Sequence, residues 1–582
     1  MIQRAPRAAT RARGSDANLT RVARIGIPAS IVALAGVLRL TNLAAVTPNP
    51  YYDAAVRTMS GSWHDFFFGV FAPGSGLAID KPPVDLWLQV ASTKVFGFTT
   101  PGLLLPQAVA GTLAVLLLFE LLRTLFGWTA GVVGAVALAV LPVAVITSRR
   151  DTMDSVMCAL LLGAAVLIAR AGRPGARRWP MLLTAAGLCG LAFEVKLVES
   201  LIAFPALVAL FWLASEDRPR TRVRQLGAMA AVFAVVALSW LTVVSIAPSS
   251  SRPWYIGSTN GSAWDATFVF NGIHRVAGPP RHRVPAPTGR AVPRSQAAQR
   301  QRTVTTARWR RNHAAALLRR PAAAGPARLL ASNASLNVRV GVELAAAWLA
   351  LIAALALGSW RRLDRLGRAG LVALGGWLAI GTVLFSVMHR LQPRYFEAFT
   401  PAVAGVFGAG LVLAATVLTR RRGERSRLAV IAAVVVAVLA VPAAASIRAV
   451  AHGTSDSGHP GHMATGRVTA LSAFLRAHQG PARFEVASLS AAKVAPLVVR
   501  DAQPVMILTS LYGQPLVPVS RFAAAVRSGQ VRYALAGANC TRGSGDRLTG
   551  CSAQARWIRA HGTDVSRQAG QPSRGLVFRL MP

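Results

Sequence analysis

Acidic residues are scarce in this chain: 22 Asp and Glu stand against 64 Lys and Arg in 582 residues, a net charge of +42. Charge of either sign is also sparse, at 15%, where soluble domains carry about 25%. With 53% apolar residues, that composition excludes an ordinary soluble globular protein and a disordered one. Four cysteines exclude a disulfide-dense secreted scaffold and give no zinc-ligand spacing. No internal repeat is present, and no Gly-rich dinucleotide fingerprint joins a strand to a helix.

What is present is a series of long apolar runs. They fall near 22–45, 103–125, 130–148, 152–170, 180–194, 196–214, 226–247, 338–359, 369–389, 396–418 and 428–448. Each approaches the roughly 20 residues that span a bilayer, so about eleven transmembrane helices are expected. The first run is too long for a removable signal peptide and lacks its small-residue cleavage site. Arginines cluster on alternate connections: Arg4 to Arg24, Arg170 to Arg178, Arg218 to Arg224, Arg361 to Arg368 and Arg420 to Arg427. Positive residues are retained on the cytoplasmic side, so the N-terminus is expected inside and everything after about 449 outside. A pI near 11.9 therefore reflects loop arginines, and nucleic acid is not an expected partner.

Three segments are left on the outer face. The loop 46–102 is rich in aromatics, Gly and Pro and holds several acids. The stretch 248–337 contains an insert, 275–328, with Arg and Pro but no acid and no apolar period, which reads as disorder or a local aberration of the sequence. The tail opens with a Gly/Ser/His linker at 449–465. It continues with short β-rich runs (Phe484–Ser488, Pro504–Ser510, Val531–Gly537, Gly575–Leu580) alternating with helical stretches. That alternation predicts a small α/β domain over 466–582.

Ionisable residues gather on that same outer side. The first loop carries Tyr51-Tyr52-Asp53 and Asp80-Lys81-Pro82-Pro83. Arg149, Arg150 and Asp154 lie between the third and fourth runs, Lys196 between the fifth and sixth, and His389, Arg394 and Tyr395 before the tenth. A lone cation at a span end can simply snorkel to the interface. Cations and carboxylates from four connections meeting at one face suit an anionic lipid-linked substrate: Lys and Arg as charge-assisted donors to a phosphate, a carboxylate as proton acceptor. Asp80, Asp154 and His389 are compatible by ligand type with a divalent metal, but their spacing is not diagnostic.

With Tyr51-Tyr52…Arg57…Met59, Asp80-Lys81-Pro82-Pro83, the Asp154 turn, Leu191-Ala-Phe-Glu-Val-Lys196 and Pro393-Arg394-Tyr395…Pro401 in order, the chain resembles the integral-membrane glycosyltransferases of the GT-C fold. Within them it is similar to family 39, the aminoarabinose transferases of lipid A, and the bacterial mannosyltransferase-like proteins with an extracytoplasmic C-terminal domain. The resemblance implies an all-α polytopic domain over 22–448, preceded by a basic cytoplasmic tail, 1–21. It implies transfer of a sugar, mannose-like or arabinose-like, from a polyprenyl-phosphate donor to a cell-envelope glycan, lipid or protein at the outer face of the cell membrane. Lys81 and Arg394 then fall near the carrier phosphate, with Lys196 a second phosphate candidate and Tyr52, Arg149, Asp154 and Tyr395 as further substrate contacts. Relatives often carry Asp-Glu ahead of the loop tyrosine; here Thr47, Pro48 and Asn49 stand there. The base must be another acid, Asp80 first and Asp53 second.

Two readings of other classes stay open on the sequence: a transporter or flippase of an anionic lipid, and a non-catalytic envelope assembly protein. No cofactor is certain on any of these readings, and a divalent metal stays open. Cys540 and Cys551, alone in a tail expected to face an oxidising compartment, are expected to pair. Cys158 and Cys189 lie in apolar runs and are expected to stay reduced.

Overall fold

The computed structural model describes residues 21–277, 325, 328–329, 341–388, 391–454, 461–510, 514–537 and 550–581. Most of the Arg/Pro-rich insert, His389 and Cys540 lie outside these residues.

The chain is a helical bundle with a small sheet at its C-terminal end. Among the described residues eight helical segments are long and apolar enough to cross a membrane, so the expected count of eleven is not reached; Trp128–Val140 and Gly341–Ala356 are shorter apolar helices. Asp154–Ala171 and Arg394–Leu418 are central, each with 78% of its apolar window buried. Pro219–Ile246 and Gly423–Ala451, at 22% and 17%, sit at the periphery with apolar side chains left to lipid. Lipid tails are as apolar as Leu, so helices associate through close backbone approach at small residues. Gly408 does this: a Cβ there would lie 2.7 Å from the backbone N of Gly134 and 2.9 Å from its Cα.

The segment Arg178–Ala214, read as two runs with almost nothing between them, folds back on itself. The helix Arg178–Lys196 passes through the turn Leu197–Ala203 into the helix Phe204–Ala214. Arg178, at the start, pairs with Asp217, just past the end. Nineteen helical residues rise about 28 Å, so Lys196 stands at an apex remote from that ion pair. Glu120 with Arg123 and Arg170, and Glu216 with Arg178 and Arg365, are further pairs among the arginine-rich connections.

The first loop is tied down from two directions. Strand β1 (Leu77–Ala78) pairs in parallel with β2 (Trp254–Tyr255), which follows the helix Pro219–Ile246. The tail supplies the second tie. Its sheet contains β3 (Val486–Ser488), β4 (Val505–Ile507), β5 (Tyr533–Leu535), β6 (Gly562–Asp564) and β7 (Val577–Leu580), in the order β4-β3-β5-β7-β6. β3 is parallel to β4 and β5, while β7 runs antiparallel to β5 and β6. β3, β4, β5 and β7 fall on the β-rich runs read from the sequence, whereas β6 and the helix Ala553–His561 before it fall on none of them. The helix Ala491–Asp501 packs on Pro50–Met59 of the first loop, and Val505 N donates to Pro73 O at 3.0 Å. First loop and tail therefore lie on one side of the bundle.

The glycine crossing is testable. Gly408→Val should lower the thermal midpoint of the detergent-solubilised protein, because overpacking against backbone costs about 1–3 kcal/mol. Gly376→Ala, with nothing within 4 Å of the added carbon, should be neutral or mildly stabilising. Equal midpoints for the two variants would show that the crossing is looser than described.

Candidate active site

The site begins where β1 ends. Asp80 and Lys81 follow it after Ile79, and Pro82-Pro83 remove two backbone donors and fix φ, holding both side chains on a stiff turn. The Lys81 Nζ donates to the Tyr52 hydroxyl at 2.9 Å, lies 3.7 Å from Asp80 Oδ2 and 5.3 Å from the centre of the Tyr52 ring. Burial works against the charge of Lys81, but Asp80 and then Tyr52 outweigh it and hold the ammonium above its ordinary pKa. Tyr52 is delivered by the helix Pro50–Met59, whose first position is proline, as its preset φ favours.

The β1–β2 pairing brings the following chain onto this turn. Asp265–Ile273 is π-helical, a rare winding that frequently occurs at functional sites. From it Asn271 donates to the backbone oxygens of Asp80 (2.6 Å) and Ala266 (3.0 Å). One turn on, Arg275 donates to Asn271 Oδ1 at 3.2 Å and lies 3.8 Å from Asp80 Oδ2. Asp80 thus stands between two cations.

Across the site, Lys196 Nζ donates to Asp154 Oδ1 and to Thr152 O, both at 2.8 Å. The residues beside this pair, Met153 (φ 73°) and Leu197 (φ 54°), both have left-handed backbones although neither is glycine. Such conformations cost on the order of 1–3 kcal/mol each and persist only where the surroundings fix them. Leu197 ends the α-helix and opens the 3₁₀ turn that carries Glu199, whose Oε2 is 3.9 Å from Lys196.

These groups gather at a partly open cleft of about 100 Å³, lined by Tyr52, Lys81, Lys196, Glu199, Asn271, Arg275, Arg394 and Tyr395, with Ile202, Leu384 and Met388 on its apolar wall. Of the residues singled out in the sequence, Lys81, Lys196, Arg394, Tyr52 and Tyr395 meet there. Asp80 and Asp154 sit directly behind, each paired to a lining cation. Arg275, Asn271 and Glu199 were missed. Arg275 stood at the first position of the supposed disordered insert, and here it lines the cleft. Near the other end of that insert, Arg328 is buried and donates to Met388 O at 2.6 Å.

Two candidates are corrected. The Arg149 guanidinium is buried and donates to the carbonyls of Leu38 (3.3 Å), Arg39 (3.4 Å), Thr41 and Asn42 (3.1 Å). It satisfies the end of the first membrane helix and does not line the cleft. Asp53 is buried outside the cleft, near Arg150; burial first, then neighbouring Asp151, push its carboxyl well above the ordinary range. Lying outside the cleft, it does not reach a substrate held there. Among the described residues no group of three or more His, Cys, Asp or Glu could hold a metal ion. Cys158 and Cys189 are free and buried. Cys551 is disulfide-bonded; its expected partner Cys540 lies outside the described residues.

Residues 80–240 match the family model "Dolichyl-phosphate-mannose-protein mannosyltransferase", and residues 471–561 match "Putative mannosyltransferase YkcB-like, C-terminal". Two Bacillus subtilis (strain 168) proteins are similar over 232 residues, 40% of this chain: "Putative mannosyltransferase YycA" at 36% identity and "Putative mannosyltransferase YkcB" at 35%. The matched stretch spans only 34% and 32% of those proteins. Of solved structures, ArnT from Cupriavidus metallidurans bound to undecaprenyl phosphate superposes with a TM-score of 0.57 at 14% identity, covering 96% of this chain and 98% of that one. The Archaeoglobus fulgidus oligosaccharyltransferase does so with a TM-score of 0.53 at 14% identity, covering 94% and 73%. At such identity the likeness speaks for the fold. The chain is a multi-pass membrane protein of the GT-C fold. By sequence its likeness is to mannosyltransferase family models, over residues 80–240 and 471–561.

The reassignment of Arg149 predicts that Arg149→Met lowers the folded yield without changing donor affinity in the folded fraction. Each buried carbonyl left unsatisfied costs about 1–3 kcal/mol. Normal yield with weakened binding of polyprenyl phosphate would return Arg149 to the cleft.

Proposed function

We propose that the chain is a membrane glycosyltransferase that moves a mannose-like or arabinose-like sugar from a polyprenyl-phosphate donor to a cell-envelope acceptor on the extracytoplasmic face. The observation that carries this is the cleft itself: Lys81, Lys196, Arg275 and Arg394, from four separate parts of the chain, line one cavity. A cluster of cations in a half-buried cleft is costly unless an anion is due there, and a phosphate takes charge-assisted bonds from all four. The apolar wall of Ile202, Leu384 and Met388 suits a prenyl chain beside that phosphate, and Tyr52 and Tyr395 offer ring faces to a sugar. The lipid phosphates bound by similar folds agree in kind with such a carrier: ArnT was solved with undecaprenyl phosphate and the archaeal oligosaccharyltransferase AglB with a dolichol-phosphate.

The reading assigns 22–448 to the transferase domain and 466–582, after the linker 449–465, to an extracytoplasmic α/β domain. Contact between first loop and tail supports one side for both, and the arginine distribution supports the outer one.

Lys81→Ala should abolish transfer while leaving membrane insertion intact. One charge-assisted contact to phosphate is worth about 1.5–3 kcal/mol, so the donor should bind at least tenfold more weakly. Radiolabelled sugar transfer in proteoliposomes measures it, and wild-type turnover in the variant would remove Lys81 from the phosphate site.

An outer tail also fixes the chemistry of its cysteines. On intact cells, a membrane-impermeant thiol reagent should label Cys540 and Cys551 only after reduction. Labelling before reduction would refute the bridge; no labelling after it, until the membrane is opened, would refute the topology.

A further inference from the structure

We propose that Glu199 is the general base of the transfer, accepting the proton of the acceptor hydroxyl; this rests on the glycosyltransferase reading. Among the described residues lining the cleft, Glu199 is the sole carboxylate. Its placement follows from the break after Lys196. The left-handed Leu197 converts the α-helix into a 3₁₀ turn over Leu197–Ala203, and three residues per turn bring position 199 onto the face of position 196.

The carboxylate keeps its accepting capacity. Oε1 is buried with no hydrogen-bond partner among the described residues. Oε2 is 3.9 Å from Lys196, beyond a hydrogen bond, because Lys196 donates instead to Asp154 and Thr152. It lines the same cleft as Lys196, Arg394 and Lys81, the groups that would hold the donor phosphate, with Asp154 the neighbouring carboxylate that acts on it. Asp80 also has an unpartnered oxygen, Oδ1, but Asp80 is absent from the cleft lining and its other oxygen lies between Lys81 and Arg275. Asp80 is then a positioning residue for two cations, and the proton acceptor is the acid that reaches the cavity.

The step balances as a displacement. The acceptor oxygen forms a bond to the anomeric carbon as its proton passes to Glu199. The bond from that carbon to the phosphate oxygen breaks, and the electron pair leaves with polyprenyl phosphate, held by the cations. Glu199 returns the proton to solvent or to the departing phosphate.

The test uses full-length protein in liposomes, polyprenyl-phosphate-mannose as donor and native envelope membranes as acceptor source. Glu199→Gln should lower kcat on the order of 10²–10⁴-fold, with donor KM not raised, polyprenyl-phosphate binding not weakened, and the acidic limb of the pH–rate profile lost. Glu199→Asp should recover part of the rate. Asp80→Asn should act mainly on donor KM. A Glu199→Gln enzyme with wild-type kcat, or with raised KM alone, would overturn the proposal and leave Glu199 a counter-ion of Lys196. Wild-type protein that neither transfers mannose nor binds polyprenyl phosphate would refute the glycosyltransferase reading instead.

Discussion

The ion pair between Lys196 and Asp154 organises this end of the bundle. A cation buried at the apex of a helical hairpin needs a carboxylate beside it, and losing that partner typically costs about 3–5 kcal/mol. Meeting the requirement places two consecutive constraints on the backbone. Met153 and Leu197, on either side of the pair, are held in left-handed conformations that neither side chain favours. The strain at Leu197 has a geometric product: it ends one winding and starts another, and the new winding carries Glu199 to the cleft. Removing the pair would therefore disturb more than one charge.

The opposite wall depends on a different device. Lys81 and Tyr52 belong to a loop that would be mobile if left to itself, being short of secondary structure over 69–83. It is clamped by the parallel pairing of β1 with β2, by Asn271 on the Asp80 carbonyl, and by the tail helix Ala491–Asp501 on the helix that carries Tyr52. This gives the C-terminal domain a physical task, buttressing the wall of the cleft. A rigid frame of this sort lets several side chains converge without each being ordered anew on binding.

Much of this was legible in the sequence, for identifiable reasons. The apolar runs and the tail's alternation are periodic signals, and Asp80-Lys81-Pro82-Pro83 marks a stiff turn whatever surrounds it. Lys196, Arg394 and Tyr395 were exposed to view because ionisable groups at the ends of apolar runs are few. Arg275 was not separable by eye from the arginines that follow it, since its role comes from the π-helical register and its contact with Asn271. Glu199 lay three residues past Lys196, but only the change of winding at Leu197 aims it at the cleft. Arg149 misled for the converse reason. A cation at a helix end reads as a ligand for substrate until the four carbonyls it satisfies are seen. Of the eleven apolar runs, 180–194 and 196–214 form one segment, Arg178–Ala214, and those at 130–148 and 338–359 give helices too short to count, which leaves eight among the described residues.

Charge within the cleft joins these observations. The four lining cations are set against Asp80, Asp154 and Glu199, and Asp154 is committed to Lys196 by a 2.8 Å bond. Asp80 is shared between Lys81 and Arg275. A carboxylate left loosely engaged among such cations has two consequences during transfer. While ionised it tempers the positive field, so that the cations do not trap the released carrier phosphate. Once it takes the acceptor's proton, its negative charge disappears as negative charge develops on the leaving group. The cations then act on the phosphate with less competition, and stabilisation that grows toward the transition state is the kind that accelerates a reaction. A base among the phosphate-binding cations would thus couple proton removal to leaving-group departure, whereas a base outside the cleft, at the position of Asp53, would not.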